Sequence, residues 1–145
     1  MTEVSFHFNA PDKLAYACRF ARKAMRHGMR LVVTGRASDL QALDRMMWNI
    51  GPTDFVAHAV AQGDPDVVHA SPVLLAADPM QVAPRDMLLN LGEHIPSGFE
   101  QFQRVVEVVC ATDEADRQGA RDRWRQYKAQ GYEIVRHDLV LKDNA

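Results

Sequence analysis

Six histidines (His7, His27, His58, His69, His94 and His137) and two cysteines (Cys18 and Cys110) are the side chains from which this 145-residue chain could build a metal site or a nucleophile. The histidines are scattered, and no two stand two or four residues apart, the spacings that present two imidazoles to one ion. Two distant cysteines make no structural zinc signature, and both lie in apolar segments, where buried, reduced thiols are the plain reading. Asp78 and Asp86 flank "PMQVAPR" and could pair for acid–base work, although carboxylates in so turn-rich a stretch more commonly cap turns. No G-x-S-x-G elbow occurs. The turns "FNAPDK" and "VVTGRASD" hold no glycine and one glycine, Gly35, where a dinucleotide pyrophosphate needs several. The sequence therefore yields no catalytic set, no metal site and no cofactor. Binding becomes the leading idea.

Two surfaces support it. From Arg117 to Lys128 five cations face one acid, Asp122, a net of +4 in a chain whose formal charge is −2. On a helical wheel with Arg117 at zero, Lys128 falls at about 20°, Arg121 at about 40° and Arg125 at about 80°. Trp124 falls at about −20°, with Ala120 and Tyr127 at about −60° and −80°, so the tryptophan stands on the seam between a positive face and an apolar edge. A solvated face is the simple alternative. Against it, like charges four residues apart cost about 0.2–0.5 kcal/mol each, which an external anion would relieve.

The second surface centres on Trp48. Leu40, Leu43, Met47 and Ile50 share one helical stripe with Met46 beside it, and Trp48 lies off that stripe among Gln41, Asp44 and Arg45. Phe55 follows in "PTDFVAH". Two aromatics off the core face have the composition of a protein–protein anchor, unless the loop 51–58 folds back over the indole. Arg19, Arg22, Lys23 and Arg26 make the first helix basic as well, and these read as a solvated face.

The elements that must position these residues follow from periodicity. "EVSFHF" alternates as a strand. A helix follows from a cap at Asn9 or Asp12 to Gly28, with Leu14, Cys18, Ala21 and Met25 as its core stripe. "RLVVTG" is a strand and "ASDLQALDRMMWNI" a helix. "VVHASPVLLAA" reads as at least one strand, interrupted by Pro72, and "MLLNL" and "QRVVEVVC" as two more. The basic helix runs from about Asp113 to Gln130 with Thr112 as candidate N-cap and Gly131 beyond its end. "YEIVRHDLVL" closes as a strand, and residues 140–145 read as a frayed tail. Helix–strand alternation gives an α/β class with helices on both sheet faces, and the run of strands after residue 66 suggests a mixed, mostly parallel sheet.

Hydrophobic residues at 47% and charged residues at 25% are ordinary for a globular chain, read as a single domain over 1–145. No leader peptide or apolar run of about 20 residues is present, so the expected location is cytoplasmic, away from membranes.

The stretches "LDRMMWNIGPTDFVAH", "PRDMLLNLGEHIP" and "ARDRWRQYKAQGYEI" resemble the chi subunit family of the bacterial DNA polymerase III holoenzyme, over nearly the whole chain. The resemblance implies a Rossmann-like α/β fold without nucleotide chemistry. It further implies a bridge at the replication fork, joining the clamp loader, through the psi subunit, to the acidic, phenylalanine-ended C-terminal tail of single-stranded DNA-binding protein. Arg117, Arg121, Trp124, Arg125 and Lys128 carry over to that tail site. Trp48 and Phe55 carry over to the surface for psi, or for an XPD-like helicase, so that nucleic acid is met only indirectly. The rival readings are direct binding of single-stranded nucleic acid, with Trp124 stacking on bases, and a Rossmann-like nucleotide-dependent enzyme.

Overall fold

The computed structural model of the protein describes residues 2–49 and 56–140. Its elements, in chain order, are β1 (Glu3–Ala10), α1 (Lys13–Arg26), β2 (Leu31–Thr34), α2 (Ala37–Trp48), β3 (His58–Val60), α3 (Pro65–Ala70), β4 (Val73–Leu75), β5 (Met87–Asn90), β6 (Arg104–Cys110), α4 (Glu114–Ala129) and β7 (Ile134–Asp138). Short 3-10 turns, Pro79–Gln81 and Phe99–Gln101, precede β5 and β6. The strands form one seven-stranded sheet in the order β3-β4-β2-β5-β6-β1-β7.

Every pairing in this sheet is parallel, so the expected mixed sheet is corrected. The reason lies in the connections. The 3-10 turns before β5 and β6 sit in loops that recross the sheet, so that no hairpin returns a strand beside its predecessor. A second correction falls on "VVHASPVLLAA": residues 65–70 are helical and only Val73–Leu75 is strand. Asp64 accepts a hydrogen bond from the Asp66 amide and Pro65 stands at the first helical position. That local capping outweighs the β preference of Val67 and Val68. The three residues of β3 have no counterpart in the sequence reading, and the last strand stops at Asp138.

Both faces are covered. On one, Leu31, Val33, Leu89, Val106 and Val108 pack with Ala17, Ala21 and Ala24 of α1 and Leu40, Leu43 and Met47 of α2. On the other, Val4, Phe6, Val32, Leu88 and Val105 pack with Phe99, Phe102, and Ala120 and Tyr127 of α4. Double coverage explains why β2, β4 and β5 are buried at every position rather than at alternate ones. In α1 the fully buried positions are the alanines; Leu14 and Cys18 pack only at its margin. Small residues let the helix lie close to the sheet.

The crossovers leaving β1 and β2 carry α1 and α2 over one face, and those leaving β3 and β6 carry α3 and α4 over the other. Neighbouring strands whose connections diverge in this way open a crevice at the carboxyl edge. One such crevice lies between β1 and β6, and another at the tips of β2 and β5. No helix among the described residues is long and apolar enough to cross a membrane. Phe55, Ile50 and the tail 141–145 lie outside the described residues.

Candidate functional site

The crevice between β1 and β6 is roofed by α4. The helix starts at Asp113, whose carboxylate accepts from the Asp116 amide; the expected cap, Thr112, is one residue too early. Glu114 and Asp116 suit the positive end of the helix, and Gly131, at φ +89°, turns the chain away after it.

A buried polar cluster locks α4 onto the sheet. Arg123 and Glu107 are both almost inaccessible to solvent, and Nε of Arg123 donates to Glu107 Oε1 at 2.9 Å. Tyr127 donates its hydroxyl to Oε2 at 2.8 Å, and the Asn90 amide reaches both oxygens at 3.0 Å. Arg123 also donates to the carbonyl of Glu93 at 2.9 Å. Burial pushes the Glu107 carboxyl upward, while the Arg123 charge and the hydrogen bonds from Asn90 and Tyr127 pull the other way. Burial, reinforced by Glu107, pushes the Tyr127 phenol far above its ordinary value, so it remains a donor. Arg123 therefore adds to the net charge of the segment 117–128 but not to the exposed positive face. Its wheel position, about −120°, beside Tyr127, is the signal that could have shown this.

With that side of α4 inside, the opposite edge overhangs a groove of about 510 Å³. Arg117, Arg121, Trp124 and Arg125 line it from the helix, Phe6, Phe8 and Asn9 from β1, Val109 and Cys110 from β6, and Arg136 from β7. Four of the five residues assigned to this face thus come together. Lys128 does not: it is exposed one turn further along and lies outside the lining. Phe8 and Arg136 are additions. The alternation of Phe6 and Phe8 placed them on one face, but their meeting with α4 needed the tertiary structure.

Trp124 is half-buried, its ring 5.1 Å from Phe6. The Arg136 guanidinium lies over both Phe8, at 5.2 Å, and Trp124, at 5.8 Å. Arg136 is exposed, and among the described residues no carboxylate pairs with it. At the mouth, the ladder between β1 and β6 slips by one residue between His7 and Ala10, and Asn9 takes a left-handed φ of 67°. Asparagine tolerates this conformation, and its amide donates to Asp138 at 2.9 Å. Such a bulge redirects the strand at the rim of a site.

The helix arginines are not bare. Arg121 pairs with Glu114 at 3.1 Å, Arg125 with Asp122 at 3.0 Å, and Arg117 approaches Glu114 at 4.0 Å. Like-charge strain on this face is thereby relieved within the helix, which weakens that strain as a sign of an external anion. Exposed pairs of this kind are worth about 0–1 kcal/mol each and exchange readily for another carboxylate. The arrangement can offer an apolar floor and movable guanidinium partners to an acidic, ring-bearing ligand. Cys110 sits in the wall: burial pushes its thiol up, but hydrogen bonds from Thr112 and Asp113 outweigh it and hold the thiol below its ordinary value.

The second surface has different chemistry. Trp48, at the end of α2, is 59% exposed, and its ring lies 5.1 Å from that of His58. His58 is itself fixed, with Nδ1 2.8 Å from the Val56 carbonyl and Nε2 2.7 Å from Asp44. The indole therefore stands off the core face on a rigid platform.

The remaining candidates take structural roles. Asp78 caps the turn at Met80, and Asp86 accepts from the Arg30 amide at 2.8 Å. A Cβ on Gly35 would meet that of Leu91 at 3.2 Å, so this glycine serves the contact of two loops. Cys18 and Cys110 are both free thiols.

Comparison with known proteins fits this geometry. The family model described as "DNA polymerase III chi subunit, HolC" matches residues 1–135. The chain is 33% identical over 144 residues to the DNA polymerase III subunit chi of Pseudomonas aeruginosa, covering 96% of this chain and 98% of the relative. It is 28% identical over 121 residues to the subunit of the same name in Haemophilus influenzae, covering 81% of each. A parallel sheet without a glycine-rich phosphate turn, matched along almost its whole length, belongs to the DNA polymerase III chi subunit family.

Proposed function

We propose that the chain, as a DNA polymerase III chi subunit in DNA replication, is a non-catalytic bridge. Its α4 groove takes the acidic C-terminal tail of single-stranded DNA-binding protein, and its Trp48 surface takes psi and so reaches the clamp loader. The observation that supports this reading is the groove itself. Four arginines (Arg117, Arg121, Arg125 and Arg136) ring a floor made by Phe6, Phe8 and Trp124. A terminal phenyl ring fits that floor and tail carboxylates fit the ring of arginines. Phe55, assigned with Trp48 to the second surface, remains part of the proposal, as does an XPD-like helicase as alternative occupant.

Magnitudes set the expected affinity. Burying a phenyl ring contributes roughly 1.5–3 kcal/mol. Rim charge pairs add about 0.2–1 kcal/mol each. Ordering a floppy tail offsets part of this, leaving a dissociation constant on the order of micromolar. Calorimetry with an acidic, phenylalanine-ended peptide tests it. Heat that diminishes with salt, and is lost on combining Arg121→Ala with Trp124→Ala, is expected. No heat at low salt, or binding indifferent to that double change, would sink the reading. For the second surface, Trp48→Ala should abolish copurification with psi and spare peptide binding.

A further inference from the structure

We infer that the outer face of α1 is a contact surface for the phosphate backbone of single-stranded nucleic acid, separate from the α4 groove and on the opposite side of the sheet. Between Lys13 and Arg26 the helix carries Lys13, Arg19, Arg22, Lys23 and Arg26 and no acidic residue. Lys13 is engaged by Asp116 at 2.9 Å. The other four fall within about 100° of one another on a helical wheel, forming a single stripe along the helix. Arg19, Lys23 and Arg26 are exposed, and among the described residues no carboxylate pairs with any of the three.

Helix energetics do not account for the stripe. Lys23 and Arg26 stand in the last turn, where cations suit the helix dipole. Arg19 and Arg22 lie earlier and gain nothing from it. Arg19 with Lys23 sets like charges one turn apart, an arrangement that costs stability unless an anion lies across it. Arg19 is also pre-positioned, its guanidinium 5.7 Å over the Tyr16 ring.

The shape of the surface selects the occupant. The aromatic-floored groove opens beside α4 on the other face of the sheet, so a peptide that needs an anchor finds its hole there. The apolar side of α1 is spent on the sheet through Ala17, Ala21 and Ala24, leaving nothing to insert into a lipid surface. A straight row of cations at about 5.4 Å per helical turn asks only for a regularly charged polymer. Backbone contacts of this kind bind without reading sequence, as a strand-tracking surface should. Since α1 and α4 lie on opposite faces, a tail and a strand could be held together.

The test is fluorescence anisotropy of the full chain with a labelled oligothymidylate. With about three phosphates neutralised at about 0.7 each, affinity should fall about twenty-fold between about 50 and 200 mM salt. The triple change Arg19→Glu, Lys23→Glu and Arg26→Glu should abolish oligonucleotide binding while the acidic peptide still binds the groove. The pair Arg121→Glu and Arg125→Glu should do the reverse. If charge reversal disturbs folding, the corresponding glutamine set should weaken the oligonucleotide at least tenfold with an unchanged melting temperature. The inference is overturned by no oligonucleotide binding at the lowest salt, or by binding that survives the α1 changes and disappears with the α4 pair. It is equally overturned if polyglutamate or anionic vesicles bind the α1 stripe as tightly as the oligonucleotide.

Discussion

α1 and α4 each carry five cationic side chains, yet the fold arranges them in opposite ways. On α4 one arginine, Arg123, is driven inside against Glu107, three take acids on their own helix, and the exposed edge frames an apolar-floored groove. On α1 no acid interrupts the row, and the buried side is alanine laid flat on the sheet. Counting charges cannot separate the two; the groups opposite each charge do. A cation with a carboxylate and an aromatic floor beside it makes a pocket for a discrete ligand. A cation in an uninterrupted row makes a track.

Three measurements break or sharpen that contrast. The largest effect belongs to Glu107→Ala, which leaves Arg123 buried beside no counter-charge. Losing one partner of a buried pair costs about 3–5 kcal/mol. At this chain length that lowers the melting temperature by on the order of 10 °C. A variant as stable as the parent would mean that the inner arginine of α4 is as solvated as those of α1.

The second uses the two cysteines, one in each region. Cys18, on α1, has its thiol pushed up by burial, whereas Cys110, in the groove wall, is held below its ordinary value. Thiolate rather than thiol reacts, so near-neutral alkylation should modify Cys110 first, and the acidic peptide should slow that reaction alone. Mass spectrometry of the alkylated chain reads both outcomes. Equal protection of the two thiols would point to a global change instead of an occupied groove. The smallest effect is on α1: replacing Arg19, Lys23 and Arg26 by glutamine should shift stability by no more than about 0.5 kcal/mol in chemical denaturation. A large loss would show that the row holds the fold together.

Much of this was legible in the residues and some was not. The wheel positions of Arg117, Arg121, Trp124 and Arg125 follow from one local rule, the helical period, and the structure brings the four together. Lys128 obeys the same rule and still falls outside the groove, because the groove lies toward the carboxyl ends of β1 and β6, under the earlier turns of α4. Residues 65–70 are helical against the strand preference of two valines, because a capping aspartate and a proline act locally. The burial of Arg123 is not legible in a formal charge count, because its partner Glu107 is 16 residues away.

What the chain determined by itself is therefore local: where helices start and stop, which side of each is apolar, and that one amphipathic helix sets a tryptophan between arginines. Only the tertiary structure decided that Phe8 and Arg136 join that helix. Their strands lie side by side although Phe6 and Arg136, partners in the register, are separated by almost the length of the chain. Helical periodicity depends on neighbours within a turn, whereas strand order depends on how crossovers pack over a whole sheet, and no short stretch of sequence encodes that.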